Sequence, residues 1–95
     1  MNVSVHKQEG KYNYNIVLSG MAKEEIGFAF VIAGLLTSIT LVQSATRNKD
    51  DVTIAIYTRK REWTEDFIRK FITHLWTDVV DAAHKPAPEE QEEYE

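Results

Sequence analysis

The chain opens on strict alternation of apolar and polar positions. Val3 and Val5 alternate with Ser4 and His6, Glu9-Gly10 breaks the pattern, and Tyr12, Tyr14, Ile16 and Leu18 follow at period two. Two alternating runs around a glycine predict a β-hairpin, with Gly10 supplying the positive φ of its turn. The second strand then carries Tyr12, Tyr14, Ile16 and Leu18 on one face and Asn13, Asn15 and Val17 on the other.

After Ser19-Gly20 the alternation stops. Met21-Ala22-Lys23-Glu24-Glu25 leads into the uncharged run Ile26–Leu36. Two glutamates at its start complement the positive end of a helix dipole, so the run reads as a helix. Its apolar residues cover every direction of the helical wheel, and such a helix must be covered all round by a core, a partner or a membrane. Ile26 to Val42 is seventeen residues without a charge, the lower edge of a membrane span. Gly27, Gly34, Thr37, Ser38 and Thr40 dilute the run, so no span is expected.

Thr37-Ser38-Ile39-Thr40-Leu41-Val42 is rich in β-branched residues, which favours a strand; continuation of the helix through residues 37–44 is the alternative. Arg47-Asn48-Lys49-Asp50-Asp51 is a polar turn, and Val52–Thr58 alternates with Val52, Ile54 and Ile56 on one face. Together they predict a second hairpin. The last helix has the fullest set of signals. Thr64 is the N-cap, Glu65 and Asp66 follow it, and Trp63 is placed to staple onto Ile68. Phe67, Ile68, Phe71, Ile72, Leu75, Val79 and Ala82 recur at helical spacing until Lys85-Pro86.

The order is ββαββα, two copies of ββα, with Asn15–Leu18 matching Thr53–Ile56 at a shift of 38. The expected fold is α+β, a pseudo-repeat forming a four-stranded antiparallel sheet with two helices packed on one face. Its buried face would hold Val3, Val5, Tyr12, Tyr14, Ile16, Leu18, Ile39, Leu41, Val52, Ile54 and Ile56. Residues 1–85 form one domain, and 86–95 form a disordered acidic tail.

Charge sharpens this division. The 95 residues hold 11 Lys and Arg against 15 Asp and Glu, net −4. Five of the acidic residues lie in Pro86–Glu95, which has no basic residue; without it 11 basic residues stand against 10 acidic ones, a formal +1. A proline-flanked glutamate run buries no core. The chain has no cysteine, which removes disulfides, thiol nucleophiles and thiolate metal sites. With no signal-peptide pattern in residues 1–15, the cytoplasm is the expected location.

The chemistry-bearing candidates are few. The two apolar helices exceed what one small sheet covers, which points to a homo-oligomer, a dimer in the first instance. Phe28, Ile32, Leu35, Ile72, Trp76 and Val80 are the expected interface. Tyr57, Asn13, Asn15 and His6 share the outer sheet face, with Arg59-Lys60-Arg61 just beyond Tyr57. Aromatics on an open sheet beside cations are how single-stranded nucleic acids are commonly held, so Tyr57, Arg59, Lys60, Arg61, Asn13 and Asn15 are the candidate nucleic-acid or partner contacts. Arg47, Lys49, Arg69 and Lys70 are more distant cations.

His74, Asp78, Asp81 and His84 fall within an arc of roughly 120° on the last helix, without the spacing of a diagnostic metal motif. No phosphate loop or nucleophile elbow is present. No enzyme, metal or cofactor is therefore expected. The leading expectation is a self-associating accessory protein of adaptor or inhibitor type that binds another protein, similar in size to small accessory proteins of phages and mobile elements. The alternative is a single-stranded nucleic-acid-binding protein, whose general plan an acidic, aromatic-tipped tail resembles.

Overall fold

The computed structural model describes residues 1–58 and 63–84. The tail expected at 86–95 lies outside them, as do Arg59, Lys60 and Arg61. Strands β1 (Asn2–Lys7), β2 (Asn13–Ser19), β3 (Leu41–Asn48) and β4 (Asp51–Tyr57) form one antiparallel sheet in the order β1-β2-β4-β3. Helices α1 (Ile26–Leu36) and α2 (Glu65–His84) complete the ββαββα order of an α+β fold.

Among the described residues, only one face of the sheet is covered. Val5, Tyr14, Ile16, Leu18, Val52, Ile54 and Ile56 are buried on it, while their alternating neighbours on β2 and β4 are half-exposed. Helix α1 packs over β3 and β4, α2 over β1, and the helices pack against each other. Ile26, Ala29, Ile32, Ala33 and Leu36 of α1 and Ile68 and Ile72 of α2 fill the space between. Tyr14 fits this apolar face because its hydroxyl donates to the Trp63 carbonyl and accepts from Lys7 Nζ at 3.4 Å.

The hairpins form where turn chemistry allows. Gly10 has φ +93°, and a Cβ there would lie 2.7 Å from Asn13 Nδ2. That nitrogen donates to the Glu9 carbonyl at 2.9 Å and closes the turn. A single 3₁₀ turn, Lys23–Glu25, leads into α1, with the Glu25 carboxylate accepting from the Ala22 N–H at 2.9 Å. In α2 the Thr64 hydroxyl accepts from the Phe67 N–H at 3.0 Å, as an N-cap should. Trp63 meets the rings of Phe67 and Phe71 edge-on, at 5.3 and 6.5 Å between centroids.

The expected strand start at Thr37 is corrected to Leu41. Residues 37–40 instead finish α1: the amides of Thr37, Ser38 and Ile39 donate to the carbonyls of Gly34, Leu35 and Leu36. The hydroxyls of Thr37, Ser38 and Thr40 donate to those same three carbonyls. A helix end leaves its last carbonyls without partners, and short hydroxyl side chains supply them. The delayed start, with a bulge between Val42 and Ser44, changes the face of every residue before it. Ile39 and Leu41, expected in the core, are 51% and 44% exposed; Val42 and Ala45 pack against the core instead. Tyr12, also expected in the core, is half-buried, with its ring edge-on to Tyr57 at 6.1 Å.

The two central strands pair about a local twofold. Strands β2 and β4 are each seven residues long and start 38 apart, at Asn13 and Asp51. The register sets Ile16 opposite Ile54, also 38 apart. The axis therefore passes between these two isoleucines, at the centre of the sheet.

Candidate functional site

Two surfaces carry unusual chemistry, and the same packing creates both. With both helices on one face of the sheet, no described helix covers the other. By register that face carries Asn2, Ser4 and His6 from β1, Asn13, Asn15, Val17 and Ser19 from β2, Asp51, Thr53, Ala55 and Tyr57 from β4, and Leu41, Ser44, Thr46 and Asn48 from β3. Amides and hydroxyls dominate it. Among the described residues, no Lys or Arg of the four strands has the register of this face.

Asn13, Asn15 and Tyr57 are brought together as expected, Asn13 directly opposite Tyr57 and Asn15 between His6 and Ala55. Tyr12 joins Tyr57 to make an aromatic pair, and Lys11 Nζ stands 6.0 Å from the Tyr12 ring centre. Alternation along the strand hides this pair, because Tyr12 precedes the first paired residue and its ring leaves the parity of the strand. Beside the pair a cleft of about 470 Å³ is lined by Gln8, Glu9, Asn13, Tyr14, Asn15 and Gln43. Gln43 reaches it from the β3 bulge, which sequence periodicity does not reveal. Asn13 Oδ1 is buried and accepts no hydrogen bond among the described residues. Arg47, on β3, lies away from the pair beside the far end of β4, tied to the Lys49 carbonyl at 2.6 Å and to Asp50 at 3.7 Å.

The second surface is the outer side of α1. The helix contains no charged residue, and its inward positions recur every three or four residues. That leaves Gly27, Phe30, Val31, Gly34 and Leu35 facing out. Phe30, Val31 and Leu35 are 39%, 49% and 47% exposed, and Ile39, in the turn that follows the helix, is 51% exposed.

Of the expected interface residues, Ile32 and Ile72 are corrected to core positions, both fully buried within one chain. For Ile32 the reason is that an all-apolar helix has no polar side to set its rotation, so sequence periodicity cannot choose which stripe faces the sheet; Ile72 lies with Ile68 on the inward stripe of the amphipathic α2. Phe28 and Trp76 meet edge-to-face at 5.9 Å in the seam between the helices, and Val80 is half-buried. Leu35 alone of the six is exposed. The residues missed are its neighbours Phe30 and Val31.

The titratable groups on α2 stand in solvent. His74 Nε2 lies 3.7 Å from Asp78 Oδ2 with both side chains exposed. Among the described residues, no group of three or more His, Asp or Glu is placed to hold a metal ion. Asp66 sits 2.7 Å from Arg69 and 3.1 Å from Lys70, and a hydrogen bond and charge from Lys70 hold its carboxyl below the usual carboxylate range. The buried polar side chains among the described residues are Thr40 and Thr58, whose hydroxyls donate to the Leu36 and Tyr12 carbonyls. No described helix is long and apolar enough to cross a membrane. No family model, curated protein or solved structure matches the chain.

Proposed function

We propose that this is a non-enzymatic binding protein of adaptor or inhibitor type, acting in the cytoplasm without a cofactor. It self-associates through its helix layer and receives another protein on the open face of its sheet. The carrying observation is that open face: four strands wide, uncharged over most of its area, and ending in the Tyr12–Tyr57 pair. Tyrosine with asparagine and serine is the composition of adaptable protein-binding surfaces, where rigid aromatic area combines with polar groups able to pair in several ways.

A photoreactive residue in place of Ala55, on the open face, tests this against one in place of Thr73, on the outer side of α2. Capture of the same partner at position 55 alone, lost on Tyr57→Ala, is the expected outcome. Equal capture at position 73, or no effect of Tyr57→Ala, rejects the assignment.

One observation favours the nucleic-acid alternative: Lys11 beside the Tyr12–Tyr57 pair, with Arg59-Lys60-Arg61 following two residues after Tyr57. Labelled oligonucleotides titrated at low and moderate salt discriminate. Binding that weakens with salt and strengthens when the chain ends at residue 85 supports single-strand recognition. No binding at low salt by that shortened chain eliminates it.

A further inference from the structure

We propose that a second copy of this chain covers the outer side of α1, the two α1 helices packing antiparallel about a twofold axis between Phe30 and Val31, which rests on the self-association proposed above and gives it a surface and an axis.

The fold contains its own control for what the outer side of such a helix looks like in water. Buried Ala29 and Ala33 of α1 match buried Ile68 and Ile72 of α2 at a shift of 39. On that alignment Phe30, Val31, Gly34 and Leu35 have Arg69, Lys70, Thr73 and His74 as counterparts. All four residues on α2 are exposed and polar, as a solvent-facing helix requires. The same positions on α1 carry three large or branched apolar side chains and a glycine. The two helices cover one sheet, yet at these four positions only α2 is polar; its one large exposed apolar side chain, Phe67, stacks on Phe71.

The α1 surface also fits itself. Gly27 and Gly34 lie at equal distances on either side of the Phe30-Val31 pair, and a Cβ added at either glycine would meet nothing within 4 Å. About an antiparallel twofold at that pair, Gly27 of each copy faces Gly34 of the other and Phe30 faces Val31, so each bulky centre is flanked by room for close approach. Charge agrees. Each chain carries −4, but no charged residue occurs from Ile26 through Thr46, so two copies meet there without opposing like charges. A lipid surface would instead draw on basic residues around the patch, and Glu24 and Glu25 outnumber Lys23 at its N-terminal rim.

Phe30, Val31, Leu35 and Ile39, at 39–51% exposure, together present roughly 300 Å² of apolar surface. That is under half of the ~800 Å² each partner contributes to a standard interface. The dimer is accordingly weak and reversible, with a Kd on the order of micromolar.

Sedimentation velocity of the full chain from about 1 to about 500 µM brackets that Kd. A concentration-dependent dimer is expected. It is lost in Val31→Arg and in Leu35→Glu and kept in Thr73→Glu, with far-UV circular dichroism and melting confirming that each variant is folded. The absence of native cysteine allows a geometric check. An equal mixture of Lys23→Cys and Ser38→Cys chains forms the mixed disulfide in the antiparallel arrangement, whereas the two symmetric disulfides would mark a parallel one and overturn the axis. A dimer that survives both Val31→Arg and Leu35→Glu overturns this surface and leaves self-association standing. A monomer at every concentration overturns both, whether or not it binds phosphatidylcholine vesicles; binding to them would assign the surface to lipid.

Discussion

Lys49 is the one residue other than glycine with positive φ among the described residues, at +58°. It opens the two-residue turn between β3 and β4, where Asn48 pairs with Asp51. A Cβ in this region costs about 1–2 kcal/mol, part of which a glycine gives back through its freer unfolded chain. Lys49→Gly should therefore stabilise the protein by roughly 0.5–1 kcal/mol in urea unfolding. The Arg47 Nε–H bond to the Lys49 carbonyl involves backbone and survives the change. At Gly10 the direction reverses, because φ +93° and the Asn13 amide 2.7 Å away exclude a side chain.

At the scale of elements, α2 depends on its first turn. Lys70, followed by Arg69, holds the Asp66 carboxyl below its usual range, and the helix dipole favours the anion at this end. A depressed folded value means stability that is present above the unfolded carboxylate range and lost as pH falls through the folded value. Asp66→Asn should thus lower the melting temperature near neutral pH and flatten its fall on the acid side, with the two chains converging at low pH. A gap between them that stays constant down to the lowest pH would contradict this assignment. The same scale explains what the sequence made legible. In β2 and β4 every second residue is apolar, and in α2 cap, dipole and periodicity agree, so each reads unambiguously. Thr37, Ser38 and Thr40 mislead because β-branching and hydroxyl capping call on the same residue types, and only the unmet carbonyls of α1 decide between them. The rotation of α1 is hidden for a related reason: with no polar stripe, sequence favours no side over another. Tyr57, Asn13 and Asn15 were legible as one face by strand parity, whereas Tyr12 and Gln43 reach that surface from outside regular pairing.

Across the whole molecule the halves meet at the β2–β4 seam. Ile16 and Ile54 lie opposite each other there and are both fully buried. Alanine at either site should cost about 2–5 kcal/mol. Because the two share one site on the local twofold, the single costs should be similar and the double substitution non-additive by at least about 0.5 kcal/mol. Strict additivity in urea unfolding would mean that they do not pack as one unit.

That seam also divides the molecule in time. Each outer hairpin closes over a short loop, Gln8–Tyr12 or Lys49-Asp50, but joining Ile16 to Ile54 must close 38 residues of chain. Every doubling of a closed loop adds about 0.6 kcal/mol of entropy cost, and pairings distant in sequence slow folding. The hairpins are quick to form and, as isolated pairs of strands, only marginally stable. The rate at which the protein becomes itself is set by how often two such transient halves find each other along their shared central strands.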